Sequence, residues 1–237
     1  MPTESHQTFK KNEWWGRAWV GAALAAVFPR RCVGCDRVLG AGSDGEAGIC
    51  AGCAVVVPWV MGPVGTAWVP NLRWERLTAV CRFEGPLVAA IHGLKYERRT
   101  DRARALSALL WQSVAARCPY DVVLAVPLAA DRLRERGYNQ SQLLAKGVAR
   151  RFGVRAPVDW VRRVRATRPQ VGLEAGARLD NVRGAFAMTP RGAAGTRDRR
   201  VLLIDDVLTT GATLHECARV LHRAGAVRLD VAVIAVA

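Results

Sequence analysis

No apolar run near the start of this 237-residue chain is long enough to cross a bilayer. The segment AWVGAALAAVF at 18–28 has 11 residues, against the ~20 a spanning helix needs. Lys10, Lys11 and Arg17 precede it, as they would a signal-peptide core, but the cysteine cluster that follows at once argues against export. The expectation is a helix that packs on the rest or rests on a membrane surface. Lysine is scarce as well: only four of the 35 basic residues are lysines, at 10, 11, 95 and 146. Acidic residues number 20, which leaves a net charge of +15 carried by arginine. Arg-, Ala- and Gly-rich composition explains part of that excess without any partner. The field of the folded chain still favours anions: phosphates, nucleic acid or an acidic membrane surface. No internal repeat is present. Histidine is sparse, and His92, His215 and His222 form no metal or base cluster.

Cysteine occurs seven times, at 32, 35, 50, 53, 81, 118 and 217. The odd count and the clustering of four exclude a disulfide framework and point to a reducing compartment with one metal site. Cys32, Cys35, Cys50 and Cys53 have the spacing C-x2-C-x14-C-x2-C. Each C-x-x-C turn aims two thiolates at one point, and two such turns complete a tetrahedron around zinc. The alternative is a pair of redox dithiols, which usually sit at a helix start beside a βαβ unit, unlike this glycine-rich loop. Four thiolates leave no open position, so the metal is expected to be structural. Cys81, Cys118 and Cys217 read as small buried hydrophobes.

Apolar residues make up 51% of the chain, enough for a core. The segments divide into an N-terminal arm with Trp14, Trp15 and Trp19 (1–30), a cysteine segment (31–60) and a larger unit (75–237). A Pro- and Gly-rich linker or wrapping loop at 58–74 lies between the last two. In the large unit, strand patterns at 76–85, 121–128, 158–165, 200–208 and 227–237 alternate with helical ones. The helical patterns are 86–118 (broken near 98–101), 139–153, 172–186 and 213–225. That alternation predicts an α/β fold with a largely parallel sheet flanked by helices. The first dozen residues and TPRGAAGTRDRR at 189–200 read as disordered.

The stretch VLLIDDVLTTGATL, 201–214, carries the chemistry. A buried strand delivers Asp205 and Asp206 at its C-terminal end, where parallel sheets bind ligands. A helix starts near Thr213, with free N–H groups that favour an anion. Thr209, Thr210 and Thr213 add hydroxyl donors, and Gly211, followed by Ala212, lets the backbone close around a phosphate. Carboxylates accept hydrogen bonds from hydroxyls, so the aspartates suit a neighbouring diol. Phosphate beside a sugar diol means a ribose 5-phosphate.

This loop resembles the signature of the type I phosphoribosyltransferase fold, which binds 5-phosphoribosyl 1-pyrophosphate. IHGLKYERR (91–99), RGYNQ (136–140) and T-x-x-Q-x-x-L at 167–173 with Arg178 and Asn181 extend the likeness. Together with a four-Cys finger introduced by FPRRC, they resemble the ComF/GntX family of competence-associated proteins over 24–237. RGYNQ and AVPL here stand for RGFNQ and PVPL. The resemblance implies a phosphoribosyltransferase-like domain with a small N-terminal zinc finger. It implies that Asp205 and Asp206 bind the ribose 2- and 3-hydroxyls as the residues nearest the chemistry. Thr209, Thr210, Gly211, Ala212 and Thr213 would bind the 5-phosphate, with Mg²⁺ accompanying the pyrophosphate. By position, 127–137 would be a pyrophosphate loop, with Arg132, Arg134 and Arg136 as its candidate cations. Lys95 and Tyr96 would approach the same cleft, and Gln170, Arg178 and Asn181 would sit on a mobile closing loop.

Two functions compete. One is an accessory protein of natural competence that handles incoming single-stranded DNA, with a helicase-like partner; the arginine excess and Trp-rich arm support it. The other is a working phosphoribosyltransferase acting on an amine or nucleobase. No acceptor-reading segment stands out, and no N-terminal glutaminase cysteine precedes Cys32. The expected location is cytoplasmic, with contact at the inner membrane face left to the apolar arm.

Overall fold

Three strongly apolar stretches, 122–125, 200–208 and 228–236, dictate the centre of the molecule, because runs without polar alternation must be covered on both faces. The computed structural model describes residues 29–40, 47–62, 64, 74–116, 119–167 and 180–237. The Trp-rich arm, Gln170, Arg178 and Cys118 lie outside the described residues. Strands β1 (Arg76–Arg82), β2 (Val122–Ala125), β5 (Arg200–Leu208) and β6 (Arg228–Val236) form one parallel sheet in the order β1-β6-β5-β2. Asp205 stands opposite Val233 on β6, and Ile204 opposite Ala125 on β2. The parallel sheet flanked by helices expected from the sequence is therefore present.

Helices α2 (Pro86–Tyr96), α3 (Arg102–Val114) and α5 (Gln140–Phe152) cover one face. Their apolar stripes merge with Leu202, Ile204 and Ile234 of the sheet into one core. The expected helix at 86–118 breaks at 97–101, as its charged middle implied. Asn139 caps α5 by accepting from the Ser141 N–H at 3.0 Å. Gly153 stops α5 in a left-handed conformation, with φ 69°. The other face is covered by α7 (Ala212–Arg223) and a two-stranded antiparallel hairpin, β3 (Val161–Arg163) and β4 (Phe186–Met188). Strand β4 was not expected, because three residues beside a glycine carry no period to read. The loop at 58–64 does wrap the sheet. Val60 N–H donates to Val80 O at 3.1 Å, and Val64 N–H to Leu77 O at 3.2 Å.

Two expectations need correction. Residues 189–200 are ordered: Pro190–Thr196 form helix α6 and Arg200 begins β5. Thr189 caps α6, accepting from Gly192 N–H at 3.0 Å, and Pro190 stands in its first turn, where a missing N–H costs nothing. Gly192 and Gly195 let Trp160 lie flat on this helix, since a Cβ at either would meet Trp160 atoms at 2.3 Å. Composition misled here, because the glycines are small for packing reasons. The second correction concerns 127–137. It is not all loop, since α4 (Ala130–Arg136) occupies most of it, ending at Gly137 with φ 83°.

The small residues of α3 and α5 govern how closely these helices approach. A Cβ on Gly147 would stand 2.2 Å from Ser107 Oγ and 2.5 Å from Ser107 Cβ. Gly147→Ala gains about 1 kcal/mol of helix propensity, but overpacking costs roughly 1–3 kcal/mol. We expect net destabilisation in urea unfolding, largely restored when Ser107→Gly is added. A Gly147→Ala variant as stable as wild type would contradict this packing.

Candidate functional site

The two aspartates near the end of β5 share one cleft but find different partners. Asp205 Oδ1 accepts from Ser141 Oγ at 2.7 Å and from the Asp206 N–H at 2.9 Å. Asp206 Oδ1 pairs with Lys95 Nζ, at the end of α2, at 3.1 Å. The carboxylate of Asp206 is buried, with its side chain 7% exposed, yet its Oδ2 has no hydrogen-bond partner. Burial, then the charge of Asp206, pushes the Asp205 carboxyl up to about 7, against the smaller opposing effects of Ser141, the Asp206 N–H and Lys95.

Beyond the aspartates the chain turns through Thr209 and Thr210. Gly211 takes φ 72°, a conformation that suits glycine, and Ala212 opens α7. Thr213 in the first turn faces a cleft of about 320 Å³. Thr210 Oγ1 is buried without a partner. The cleft also has Asp205, Asp206, Ser141 and Gln140 along it, with Arg132 from α4 and Arg163 from β3. The structure thus brings together Asp205, Asp206, Thr213 and Arg132, with the 209–212 turn between strand and helix.

Arg132 is exposed and paired with Glu135 at 2.8 Å. Arg136 is not among the cleft residues: it donates to Gln140 Oε1 and stacks over the Tyr96 ring at 5.6 Å. Arg134 is exposed outside the cleft. Lys95 does reach the site, while Tyr96 supports Arg136. The Asn181 carbonyl accepts from Arg165 at 2.9 Å.

Sequence reasoning missed Ser141 and Arg163, and marked Thr167 only as the start of the 167–173 motif, with no role of its own. Ser141 had a readable signal, being two residues past the Asn139 cap. Arg163 had none: its guanidinium donates to Thr167 and stacks on Phe186 at 5.6 Å only because β3 pairs with β4. Burial is the leading cause that lowers its pKa.

At the N-terminal side, the Sγ atoms of Cys32, Cys35, Cys50 and Cys53 lie within 4.8 Å of one another. Cys50 N–H donates to Cys32 Sγ at 3.3 Å, and Cys53 N–H to Cys50 Sγ at 3.4 Å. Such N–H···S bonds favour thiolates: burial opposes ionisation of Cys32, yet backbone donors bring it down to about 7. Four converging sulfurs fit the tetrahedral donor set of zinc, so this cluster could hold a structural ion. No helix among the described residues is long and apolar enough to cross a membrane.

The chain is similar to several known proteins. The model of the phosphoribosyl transferase domain matches residues 139–236. The DNA utilization protein YhgH of Escherichia coli O6:H1 is 34% identical over 190 residues, covering 77% of this chain and 82% of that protein. Competence protein F of Haemophilus influenzae is 29% identical over 192 residues, with 77% and 82% covered. Glutamine phosphoribosylpyrophosphate amidotransferase from B. subtilis is 22% identical with a TM-score of 0.38. That likeness covers 55% of this chain and 25% of that one.

Two measurements check the site. The folded chain keeps a proton on Asp205 that the unfolded chain has lost between its ordinary 3.8 and about 7. The stability this contributes is present below 3.8 and disappears as pH rises through about 7. Asp205→Asn should therefore raise the melting temperature at pH 8, by about 2–8 °C for roughly 1–2 kcal/mol, and give no such gain at pH 4. Metal analysis of the purified protein should find stoichiometric zinc. Cys35→Ser, which changes the most exposed of the four sulfurs, should release it; metal retained in that variant would exclude the four-thiolate site.

Proposed function

The chain belongs to the ComF/GntX family of competence-associated proteins, and we propose that its 205–213 loop binds 5-phosphoribosyl 1-pyrophosphate. One observation carries the reading. Two buried oxygens of this loop, Asp206 Oδ2 on the cleft and Thr210 Oγ1 three residues before the cleft residue Thr213, lack partners, and buried polar atoms are rarely left so. A ribose 2,3-diol offers hydroxyl donors to the aspartates. A 5-phosphate offers acceptors to Thr210, to Thr213 and to the first-turn N–H groups of α7, a helix long enough to carry a dipole. Arg132 is the residue of α4 placed to meet a diphosphate, released from Glu135 by a stronger anion. Arg136 supports from behind through Gln140.

Lys95 holds one oxygen of Asp206 and leaves the other for a diol, and Ser141 orients Asp205. The oxygen donors Asp131, Asp205 and Asp206 along the cleft suit a hard cation such as Mg²⁺, which would neutralise diphosphate charge. The biological role is the one borne by the relatives' names, the use of DNA in competence. The arginine excess supports single-stranded DNA as the partner. A second reading, phosphoribosyl transfer to an amine or nucleobase, is favoured by the space beside Arg163 and Thr167 beyond the diol carboxylates. In it Asp205 and Asp206 would touch the reacting sugar, and pyrophosphate release would report turnover.

Calorimetric titration with 5-phosphoribosyl 1-pyrophosphate and Mg²⁺ tests the proposal. Wild type should bind. The double variant Asp205→Ala, Asp206→Ala should bind about a hundredfold more weakly or worse, because two hydrogen bonds to charged groups are lost. Circular dichroism confirms that the variant is folded. No heat from wild type would overturn the reading and leave the domain a scaffold.

A further inference from the structure

A second cleft, of about 660 Å³, lies away from the aspartates, in the seam between the cysteine finger, the α2–α3 junction and the end of α5. Six guanidinium groups line it: Arg30, Arg31, Arg99, Arg102, Arg104 and Arg151. Among the described residues two carboxylates line it, Asp36 and Asp101, and both are engaged. Asp36 is held by Arg99 and Arg102, each at 2.9 Å. Asp101 meets Arg99 at 3.0 Å. These bonds, with Arg102 donating to Val33 O at 3.1 Å, pin the finger to the large domain.

Arg104 and Arg151 form no salt bridge with any described residue. Arg151 donates to Gly147 O at 3.0 Å, with Ser107 Oγ at 3.5 Å. Burial first, then the charges of Arg104 and Arg150, disfavour its protonated form. Like charges are thus crowded without an acid between them, an arrangement that an incoming anion relieves. The floor is small and apolar, made by Ala47, Gly48, Ala105 and Ala108. A Cβ at Gly48, where φ is +77°, would stand 2.9 Å from Ala105 Cβ, so no bulky side chain can fill the seam.

We propose that this cleft holds the phosphodiester backbone of a single nucleic-acid strand. Guanidinium forks match phosphate oxygens bidentately. The lining is a recessed groove of guanidinium groups, and basic grooves of this kind track the backbone of a single strand. Among the described residues that line it, Thr100 carries the one hydroxyl and none is aromatic. Bases are therefore neither read nor stacked there, and the binding is independent of sequence. The inference rests on the DNA-handling reading above and gives that strand a seat separate from the phosphoribosyl loop.

The test is fluorescence anisotropy with a labelled oligothymidylate and the full zinc-loaded protein across a salt series. Arg104→Gln with Arg151→Gln removes two phosphate contacts and leaves the Arg99–Asp36–Arg102 anchor intact. Affinity should fall about tenfold, and the slope of log K against log salt should shrink by about 1.4. Arg191→Gln with Arg223→Gln makes the same charge change on exposed residues elsewhere and should leave both unchanged. Arg104→Lys with Arg151→Lys keeps the charge and should keep the slope. If wild type binds and the cleft pair binds equally well, the strand sits elsewhere and only the location is wrong. Equal weakening by both Gln pairs would mean a diffuse field and no seat. No binding by wild type overturns the DNA reading along with the seat. If the cleft pair loses affinity for phosphatidylserine vesicles but not for the oligonucleotide, the seam is a membrane contact and the proposal falls.

Discussion

Two adjacent carboxylates at the end of a buried strand repel each other, and that repulsion organises the elements around them. Each aspartate is therefore met by a different helix. Asp206 takes Lys95 from the end of α2, and Asp205 takes Ser141 from the start of α5. Both helices must end or begin at the carboxyl edge of the sheet for this to work. Asn139 secures one of them, capping α5 and donating to Val126 O at 2.9 Å. Tyr138 secures the other, donating to Leu94 O at 2.6 Å one residue before Lys95. The segment 138–141 therefore serves the aspartates from both sides.

The finger is joined to this arrangement by charge as well as by apolar contact. Its buried residues Cys32, Val33 and Ile49 belong to the same core as α2 and α3. Asp36 at its tip accepts from Arg99 and Arg102. Arg99 lies four residues beyond Lys95, so the connection between α2 and α3 touches the finger at one end and the aspartate cleft at the other. A stable finger thus positions a helix whose last turn reaches the proposed ligand site.

How much was legible depends on the kind of signal each residue carries. The four cysteines, the strand–loop–helix at 201–223 and the helix at 139–153 announce themselves by spacing, period and caps. The helical character of 130–136 and the order of 190–196 did not. In α4 no residue is buried, so no apolar stripe marks it. In α6 the glycines that look like breakers are there to receive Trp160. Lys95 was placed near the cleft by resemblance, but its ion pair with Asp206 needed coordinates.

The sequence alone determined the metal-ligand spacing, the buried strands and the acidic, hydroxyl-rich turn, because these depend on neighbours within one element. Only the tertiary structure decided which arginines share a cleft. Arg31, Arg104 and Arg151 are far apart in the chain and meet because the finger, α3 and α5 pack with small residues between them. It also separated Arg132 from Arg136, and brought Arg163 beside Asp205 through a hairpin of three-residue strands. Long-range packing sets those distances, and no local pattern encodes them.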